Sequence, residues 1–276
     1  MNPHALHPAT PKALLLTLWR QKNLILALTR REIEGRYKGS LFGIFWSVLT
    51  PLMMVSVFTF VFGEIFQSKW AGAKNANHLD FAAALFAGLL VYNLFAECIG
   101  KAPHLITSNP NYVKKIVFPL EVLSIVTVLA ALFHFAVAYA VVVVLVLFSG
   151  WELTWTVIYT PVVLFPLLLL VMGLTWLVSA LGVFLRDIGQ IIQPVLTALM
   201  FLSPIFYPLS SVNPKLQWIY HFNPITFVVE GLRAALLHNQ APVLIDWFTY
   251  TAMCTVVMAA GFLFFQRTRK GFSDVI

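Results

Sequence analysis

The sequence predicts an all-α protein that crosses a membrane six times. Apolar residues make up 60% of the chain and charged residues only 11%, whereas roughly a quarter of the residues in soluble domains are charged. Six apolar stretches are long enough to cross about 30 Å of hydrocarbon, near residues 41–63, 81–99, 121–148, 157–184, 191–209 and 244–265. An even number of spans places both termini on one side of the membrane.

The positive charges predict which side that is. Lys and Arg near membrane helices are retained on the cytoplasmic side, and fourteen of the eighteen share a side if the N-terminus is cytoplasmic. The sequence therefore predicts a topology with both termini inside. We expect a flexible extension over residues 1–12, a six-span membrane domain over residues 39–266 and a cytoplasmic tail over residues 267–276.

The segment over residues 13–38 predicts an amphipathic helix that lies in the plane of the membrane interface. Its two faces carry Leu14, Leu18, Ile25 and Leu28 on one side and Arg20, Asn23 and Arg31 on the other. The candidate residues for binding a phosphorylated lipid head group are the cations Arg30, Arg31, Arg36 and Lys38. The alternative is that this basic flank only orients the first span and attracts anionic lipids.

Three connections between spans contain an Asn-Pro pair, at residues 109–110, 213–214 and 223–224. Asn is a favoured N-cap and Pro suits the first helical position, so each pair predicts the start of a helix. The first pair predicts a cytoplasmic helix of about two turns over residues 109–118, with Tyr112, Lys114 and Lys115 exposed for docking a partner. An ordinary solvated loop helix is the alternative.

The outer connection, residues 213–238, contains the other two pairs and is too apolar to float free in water. It predicts two re-entrant helices that dip into the outer membrane face and shape an exit, because irregular backbone at membrane depth needs surrounding protein or a water-lined cavity. The predicted buried side consists of Phe222, Phe227, Val228, Leu232, Ala235 and Leu236. The candidate exit residues are Trp218, Tyr220, Asn223, Pro224, Glu230 and Arg233, of which the last two are spaced to pair. A soluble cap with an apolar face is the alternative.

The spans also contain many aromatic rings, whose faces can stack on apolar ligand surfaces. The candidate residues for lining a channel between the spans are Phe45, Phe58, Phe62, Tyr92, Phe201, Phe206 and Tyr207. Core packing or lipid contact is the alternative for each ring.

Several kinds of chemistry lack their sequence signals. No G-x-x-x-x-G-K-[ST] phosphate loop occurs, so any ATP that drives this protein is hydrolysed by another chain. Glu97 lies within i, i+4 reach of Lys101 and His134 stands alone in the third span, which predicts no ion relay. Cys98 and Cys254 lie in different apolar stretches. We therefore expect no disulfide, metal site, cofactor or nucleic-acid partner.

Three stretches carry a resemblance to a known family. They are LTRREIEGRYKGSLFGIFWSVLTPL at residues 28–52, LRDIGQIIQPVLTALMFLSPIFYPLSSVNPKLQWIYHFNPI at residues 185–225, and the tail RTRKGFSDVI. In this order they resemble the transmembrane subunits of ABC-2 type exporters of lipid-linked polysaccharides, the Wzm, KpsM and TagG group, and the resemblance spans nearly the whole chain.

The resemblance implies a homodimer bound to two cytoplasmic ATP-binding subunits, which hold MgATP. It implies export of an undecaprenyl-diphosphate-linked glycan, such as O-antigen, across the bacterial inner membrane. It also implies that the helix over residues 109–118 is the coupling helix that seats in the ATP-binding subunit, with Asn109, Pro110, Tyr112, Val113, Lys114 and Lys115.

Together these features predict that the diphosphate binds the four cations, that ATP binding moves the coupling helix, and that the glycan threads an aromatic path. Other cargoes stay open: a capsule or teichoic acid polymer, a small lipid or a drug. A membrane enzyme that modifies polyprenyl lipids and a non-transporting scaffold are alternatives from other classes.

Overall fold

The computed structural model describes residues 11–65, 78–114, 118–149 and 151–276. All regular secondary structure in these ranges is helical, which confirms the all-α class. The first half contains α1 (Pro11–Arg20), α2 (Lys22–Tyr37), α3 (Trp46–Phe58), α4 (His78–Lys101), α5 (Pro110–Lys114) and α6 (Glu121–Phe148). The second half contains α7 (Thr160–Phe184), α8 (Ile188–Leu202), α9 (Gln217–Phe222), α10 (Thr226–Leu236), α11 (Leu244–Thr268) and α12 (Phe272–Val275).

Five of the described helical segments are long and apolar enough to cross a membrane, as expected for a polytopic membrane protein. They are Gly43–Ile65, Leu79–His104, Glu121–Phe148, Trp155–Phe184 and Leu244–Val275. The first of these combines a 3₁₀ turn, α3 and a π-helical segment, Thr59–Ile65. They coincide with five of the six predicted spans.

The remaining predicted span, residues 191–209, coincides with α8, which is apolar but shorter. Its 15 residues extend about 22 Å. The helix ends at Leu202 because Ser203 is extended (φ −96°, ψ 151°) and precedes Pro204, which disfavours helical backbone in the residue before it. A sixth crossing stays a prediction.

Helix α4 is the core of the bundle. Most of its surface is buried, and it packs against α6, α7, α8 and α10. The closest helix pair is α7 and α11, where Gly173 faces Gly261: a Cβ on Gly261 would lie 2.1 Å from the carbonyl oxygen of Gly173. Small residues of this kind let membrane helices approach closely.

The two ends of α4 distinguish the two ends of the bundle. At the end reached by Glu97 and Lys101, α2 contacts α4, and Ile25 of α2 shares a buried cluster with Phe272 of α12. We call this the terminal end, since both terminal helical regions lie there, as the even span number predicts. At the opposite end, α10 contacts Ala84 of α4. We call the helix pair α9 and α10 the hairpin, and this end of the bundle the hairpin end. The side of the membrane that each end faces stays a prediction.

The predicted interfacial helix is two helices, α1 and α2, joined at Gln21. Ile25 belongs to the buried cluster at the terminal end that also contains Phe272, which we call the terminal cluster, and Leu18 and Leu28 pack against it. The predicted apolar face therefore lies against the bundle at these positions. The side chain of Leu14 lies outside the described part of the chain, as do residues 1–10 of the predicted extension. The predicted tail folds back as a 3₁₀ turn, Arg269–Gly271, and α12.

Candidate functional site

A cavity of about 780 Å³ at the terminal end lies between α2, α6 and the region around α5. Its charged lining consists of Arg31 and Lys38, two of the four predicted head-group cations, and of Glu32 and Glu34, whose charges are already paired with Lys101 and Arg30. Asn109 and Tyr112 line its other side. Neither Arg31 nor Lys38 forms an ion pair with any described residue. This basic cavity therefore presents two uncompensated cations beside the predicted coupling helix.

The other two predicted cations point elsewhere. Arg30 forms a largely exposed ion pair with Glu34, at 2.6 Å. Arg36 donates to Glu97 Oε1 of α4 at 2.8 Å and lies 3.0 Å from His134 Nδ1 of α6. The four cations thus occupy three different environments, because the helical turn of α2 separates their side chains.

Arg36 is part of a charged network that ties α2 to the membrane core. Glu32 and Arg36 are four residues apart on α2, and Glu97 and Lys101 are four apart on α4 with the same order of charge, so antiparallel packing of the two helices places each acid against a base. Two bridges join the helices, Lys101 to Glu32 at 3.0 Å and Arg36 to Glu97 at 2.8 Å. The predicted pair of Glu97 and Lys101 also forms, at 3.2 Å, which confirms it.

The expectation that His134 stands alone is wrong. Packing of α6 on α4 brings His134 Nδ1 to 3.0 Å from Glu97 Oε2, and both side chains are about 15% exposed. The other ring nitrogen, Nε2, is buried without a hydrogen-bond partner among the described residues. Sequence spacing gives no sign of a contact between residues 37 positions apart, but the matching acid-to-base spacing on α2 and α4 is a signal for two bridges between antiparallel helices.

A second cavity, of about 590 Å³, lies between α3, α4 and α6. Arg36, Tyr37, Glu97 and His134 form its charged end, while Phe58, Phe86, Leu90 and Phe135 are among the apolar residues that line the rest. It also exposes the side chains of Thr50 and Asn93, which make no hydrogen bond within the described ranges. We call it the membrane cavity. Tyr37 lines both cavities and separates them.

Four of the predicted path aromatics form a continuous row near the membrane cavity. Ring centroids are 6.1 Å apart for Phe58 and Phe62, 6.1 Å for Phe62 and Phe206, and 5.7 Å for Phe206 and Phe201. The row runs from α3 to the end of α8. It ends next to the hairpin, since Tyr207 contacts Tyr220 of α9 through their hydroxyl groups at 2.8 Å.

The other two predicted path residues lie apart from this row. Tyr92 is buried and donates its hydroxyl hydrogen to the carbonyl oxygen of Leu196 at 3.0 Å, which joins α4 to α8. Phe45 is exposed at the start of α3. The structure thus brings together five of the seven candidate aromatics.

The predicted coupling helix begins at Pro110, as its Asn-Pro pair indicates, and α5 has five described residues. Asn109 donates its side-chain amide to the carbonyl of Leu105 at 2.9 Å. Lys114 is exposed and Val113 is partly buried. Lys115 and residues 116–117 lie outside the described residues.

Tyr112 is not exposed as predicted. Its ring stacks on Phe118 with centroids 4.4 Å apart and an interplanar angle of 18°, and it packs against the terminal cluster. The contact arises because the chain after α5 returns to the bundle at Phe118. Among the described candidates of this helix, Pro110 and Lys114 are exposed, and Lys114 is the described cation that can contact a partner.

At the hairpin end, Arg233 holds α10 in place and is 1% exposed. It donates to the carbonyl oxygens of Ala84 at 2.8 Å and Ile205 at 2.8 Å, and to that of Pro204. Glu230 also accepts from it at 2.9 Å, which confirms the predicted pair. Burial lowers the pKa of Arg233 to about 10, so the guanidinium stays charged at neutral pH.

Most of the predicted buried side of the hairpin is confirmed. Phe227 is partly buried. The fully buried positions are Val228, Leu232, Ala235 and Leu236. Phe222 was predicted to be buried and is 81% exposed, because α9 ends there beside the half-exposed Trp218.

Both hairpin Asn residues cap the turns that they precede. Asn213 accepts from the amide of Lys215 at 3.0 Å and starts a 3₁₀ turn at Pro214, as predicted. Asn223 accepts from the amide of Ile225 at 2.9 Å, and α10 starts at Thr226, two residues after Pro224. The Pro224 carbonyl accepts a hydrogen bond from Tyr250 of α11, which ties this turn to the bundle.

Comparison with known proteins identifies the family of this chain. An O-antigen export system permease protein of Myxococcus xanthus is 26% identical over 265 residues, covering 95% of this chain and 99% of that protein. One of Klebsiella pneumoniae is 23% identical and covers 92% and 95%. A polysialic acid transport protein of Escherichia coli is 26% identical and covers 91% and 95%. The ABC-2 type transporter family pattern matches residues 23–237, which is most of the chain. The resemblance stated from the sequence is thereby confirmed, and this protein belongs to the ABC-2 type transporter family.

Proposed function

We propose that this protein is the permease subunit of an ATP-driven exporter that moves a lipid-linked polysaccharide across the bacterial inner membrane. Its family and the names of its relatives, which are O-antigen and polysialic acid transporters, support a polysaccharide cargo. O-antigen is the favoured cargo, since three of the relatives are named O-antigen export permeases. Its linkage to undecaprenyl diphosphate is what the family resemblance implies. Capsule or teichoic acid polymers are the nearest alternatives.

The basic cavity is the observation that carries this proposal. A diphosphate needs cations that no protein carboxylate already neutralises, and Arg31 and Lys38 meet that condition. The cavity lies at the terminal end, which is the cytoplasmic end in the predicted topology. The head group of a lipid in the inner leaflet reaches such a site without leaving the interface.

The membrane cavity and the aromatic row support a path for the glycan. Sugar hydroxyls would find hydrogen-bonding partners in Thr50, Asn93 and the charged end, and the rings of Phe58 and Phe62 offer stacking surfaces. The hairpin lies at the far end of this row and is placed to shape the exit on the outer face. The hairpin helices are re-entrant in this proposal.

A homodimer completes the path. About half of the residues of α3 are exposed in one copy and Val55 alone among them is fully buried, with Leu52, Met53 and Val57 on the exposed side. An apolar face of this extent is covered by lipid or by another protein surface, and a second copy of the same face would enclose a channel. Two cytoplasmic ATP-binding subunits then supply energy through α5, since this chain has no phosphate loop.

In the proposed cycle, the diphosphate binds Arg31 and Lys38, and ATP binding in the partner moves α5. Because α5 and α2 line the same cavity, that movement changes the head-group site directly. The glycan then enters the path while its lipid tail stays in the bilayer. Residues of this chain bind and position the cargo, and the chemical step belongs to the partner.

The test is the double variant Arg31→Gln/Lys38→Gln, with Arg30→Gln as a matched control. Charge-assisted hydrogen bonds contribute about 1.5–3 kcal/mol each, so losing two weakens head-group binding at least about 100-fold. We expect surface glycan to fall strongly, while the amount of purified complex with its ATP-binding partner is unchanged. Arg30 pairs with Glu34 but does not itself line the cavity, so its variant should export normally. Normal surface glycan in the double variant would overturn the head-group role.

A further inference from the structure

The C-terminal residues after α11 make an unusually well-fixed contact with the start of α6. Arg269 donates from Nη1 to Glu121 Oε2 at 2.7 Å and from Nη2 to the carbonyl oxygen of Phe118 at 2.6 Å. The side chains of Arg269 and Glu121 are 12% and 7% exposed. A guanidinium that is buried with both a carboxylate and a carbonyl partner has a fixed orientation.

The Phe118 carbonyl places this contact next to the predicted coupling helix. Phe118 is the first described residue after α5, and its ring stacks on Tyr112 of α5 at 4.4 Å. A chain of direct contacts therefore runs from Arg269 through Phe118 to Tyr112. Helix α12 also packs against α5.

The tail itself is anchored from the other side. Phe272 is fully buried, with ring centroids 5.5 Å from Phe265 of α11 and 5.8 Å from Phe184 of α7. These contacts fix the backbone turn that carries Arg269. The tail is thus a rigid part of the terminal end.

Helix α5 needs such outside support. It starts at Pro110, and Phe118 is no longer helical, so the helix is too short to hold its own orientation, since isolated helices shorter than about 12 residues are marginal. On its N-terminal side, Asn109 bonds to Leu105. On its C-terminal side, the support is the stack of Tyr112 on Phe118, and Arg269 holds Phe118.

We propose that Arg269 is a positioning residue for energy coupling, and that the C-terminal segment, residues 269–276, is a brace that holds α5 in the orientation that transmits force from the ATP-binding subunit. The proposal rests on the proposed coupling role of α5. The brace acts through Phe118 and Tyr112, without contact between Arg269 and cargo or nucleotide. Loss of the brace leaves α5 present but loosely held, so ATP hydrolysis continues with less transport per ATP.

The experiment uses the full chain in complex with its ATP-binding partner. Three variants are compared with the native protein: Arg269→Gln, Arg269→Lys and, as a matched control, Lys270→Gln. Lys270 is the adjacent cation and forms no ion pair with the described residues. Surface glycan per assembled complex is measured in cells, and ATP hydrolysis is measured for the purified complex in phosphatidylethanolamine and phosphatidylglycerol vesicles.

We expect Arg269→Gln to lower surface glycan per complex about tenfold while ATP hydrolysis stays within twofold of native. Arg269→Lys keeps the charge near Glu121 and should recover part of the loss, and Lys270→Gln should match the native protein. A purely structural role for Arg269 would lower the amount of complex and leave the glycan produced per complex unchanged, and that result overturns the proposal.

If Arg269→Gln does not assemble, the double variant Arg269→Met/Glu121→Met decides. It removes both buried charges together, which spares the core an unpaired carboxylate, but it still deletes the contact with the Phe118 carbonyl. Native transport per ATP in that variant overturns the brace. Tyr112→Ala and Lys114→Ala test the role of α5 separately from the brace. If these variants also keep native transport per ATP, the proposed coupling role of α5 is overturned. If they lose transport per ATP while the Arg269 variants keep it, only the brace is overturned.

Discussion

The buried guanidinium of Arg233 yields the most quantitative stability prediction. Replacing it with Met keeps an unbranched apolar stem but removes every donor. Ala84 lies inside α4, where its carbonyl keeps a helical partner, whereas the carbonyls of Pro204 and Ile205 accept from Arg233 alone among the described residues. Each buried carbonyl left without a donor costs about 1–3 kcal/mol. The predicted loss of stability for Arg233→Met is therefore about 2–6 kcal/mol.

For a chain of this size, 1 kcal/mol corresponds to about 2 °C in Tm, so we expect Arg233→Met to lower the Tm of the detergent-purified protein by about 4–12 °C. Glu230→Gln is the matched control, because it removes only the half-exposed partner of the same guanidinium. The substitution keeps an oxygen that accepts from the guanidinium, and a charged acceptor is worth only about 1 kcal/mol more than a neutral one, so the Tm should shift by about 2 °C. Equal Tm values for the two variants would refute the conclusion that the carbonyl contacts fix the hairpin.

Two further predictions concern the helix packing and the charged network. Gly261→Ala should sharply reduce the monodisperse fraction in size-exclusion chromatography, because its Cβ would lie 2.1 Å from the carbonyl oxygen of Gly173. Gly100→Ala is the control, since its Cβ meets the nearest atom at 3.4 Å and should be tolerated. Equal profiles for the two variants would contradict the close packing of α7 and α11. Glu97→Gln should release α2 from α4 and raise the rate at which trypsin cleaves α2 several-fold. Glu34→Gln loses one exposed ion pair and should leave that rate unchanged. Equal cleavage rates for the two variants would contradict the network's role in docking α2.

The sequence predicted the long spans well and the polar contacts poorly. Hydropathy is read from neighbouring residues, whereas most of the polar contacts join residues that are far apart in the chain. The third span was predicted over residues 121–148 and α6 is Glu121–Phe148, because hydropathy is a property of a continuous stretch. The fifth apolar stretch was overestimated because the hydropathy of residues 203–209 is unaffected by the extended backbone before Pro204. Length of apolar sequence alone does not give length of helix.

Contacts between distant residues had no such local signal. His134 meets Glu97 only because α4 and α6 pack in one register, and Tyr112 is covered only because Phe118 returns to the bundle. The Glu230 and Arg233 pair was predictable because both residues lie on one helix, three positions apart. The carbonyl partners of Arg233, by contrast, come from segments that the sequence does not connect.

Helix α2 links the two cavities through its different faces. Arg31 and Lys38 are seven residues apart and line the basic cavity, whereas Glu32 and Arg36 are four apart and bond to Lys101 and Glu97 of α4. A helix of 16 residues moves largely as one body, so a displacement of α2 at the basic cavity also strains both bridges to α4. Because Arg36 and Glu97 line the charged end of the membrane cavity, the shape of that end depends on the position of α2. The proposed head-group site and the proposed glycan path are therefore mechanically connected within one subunit.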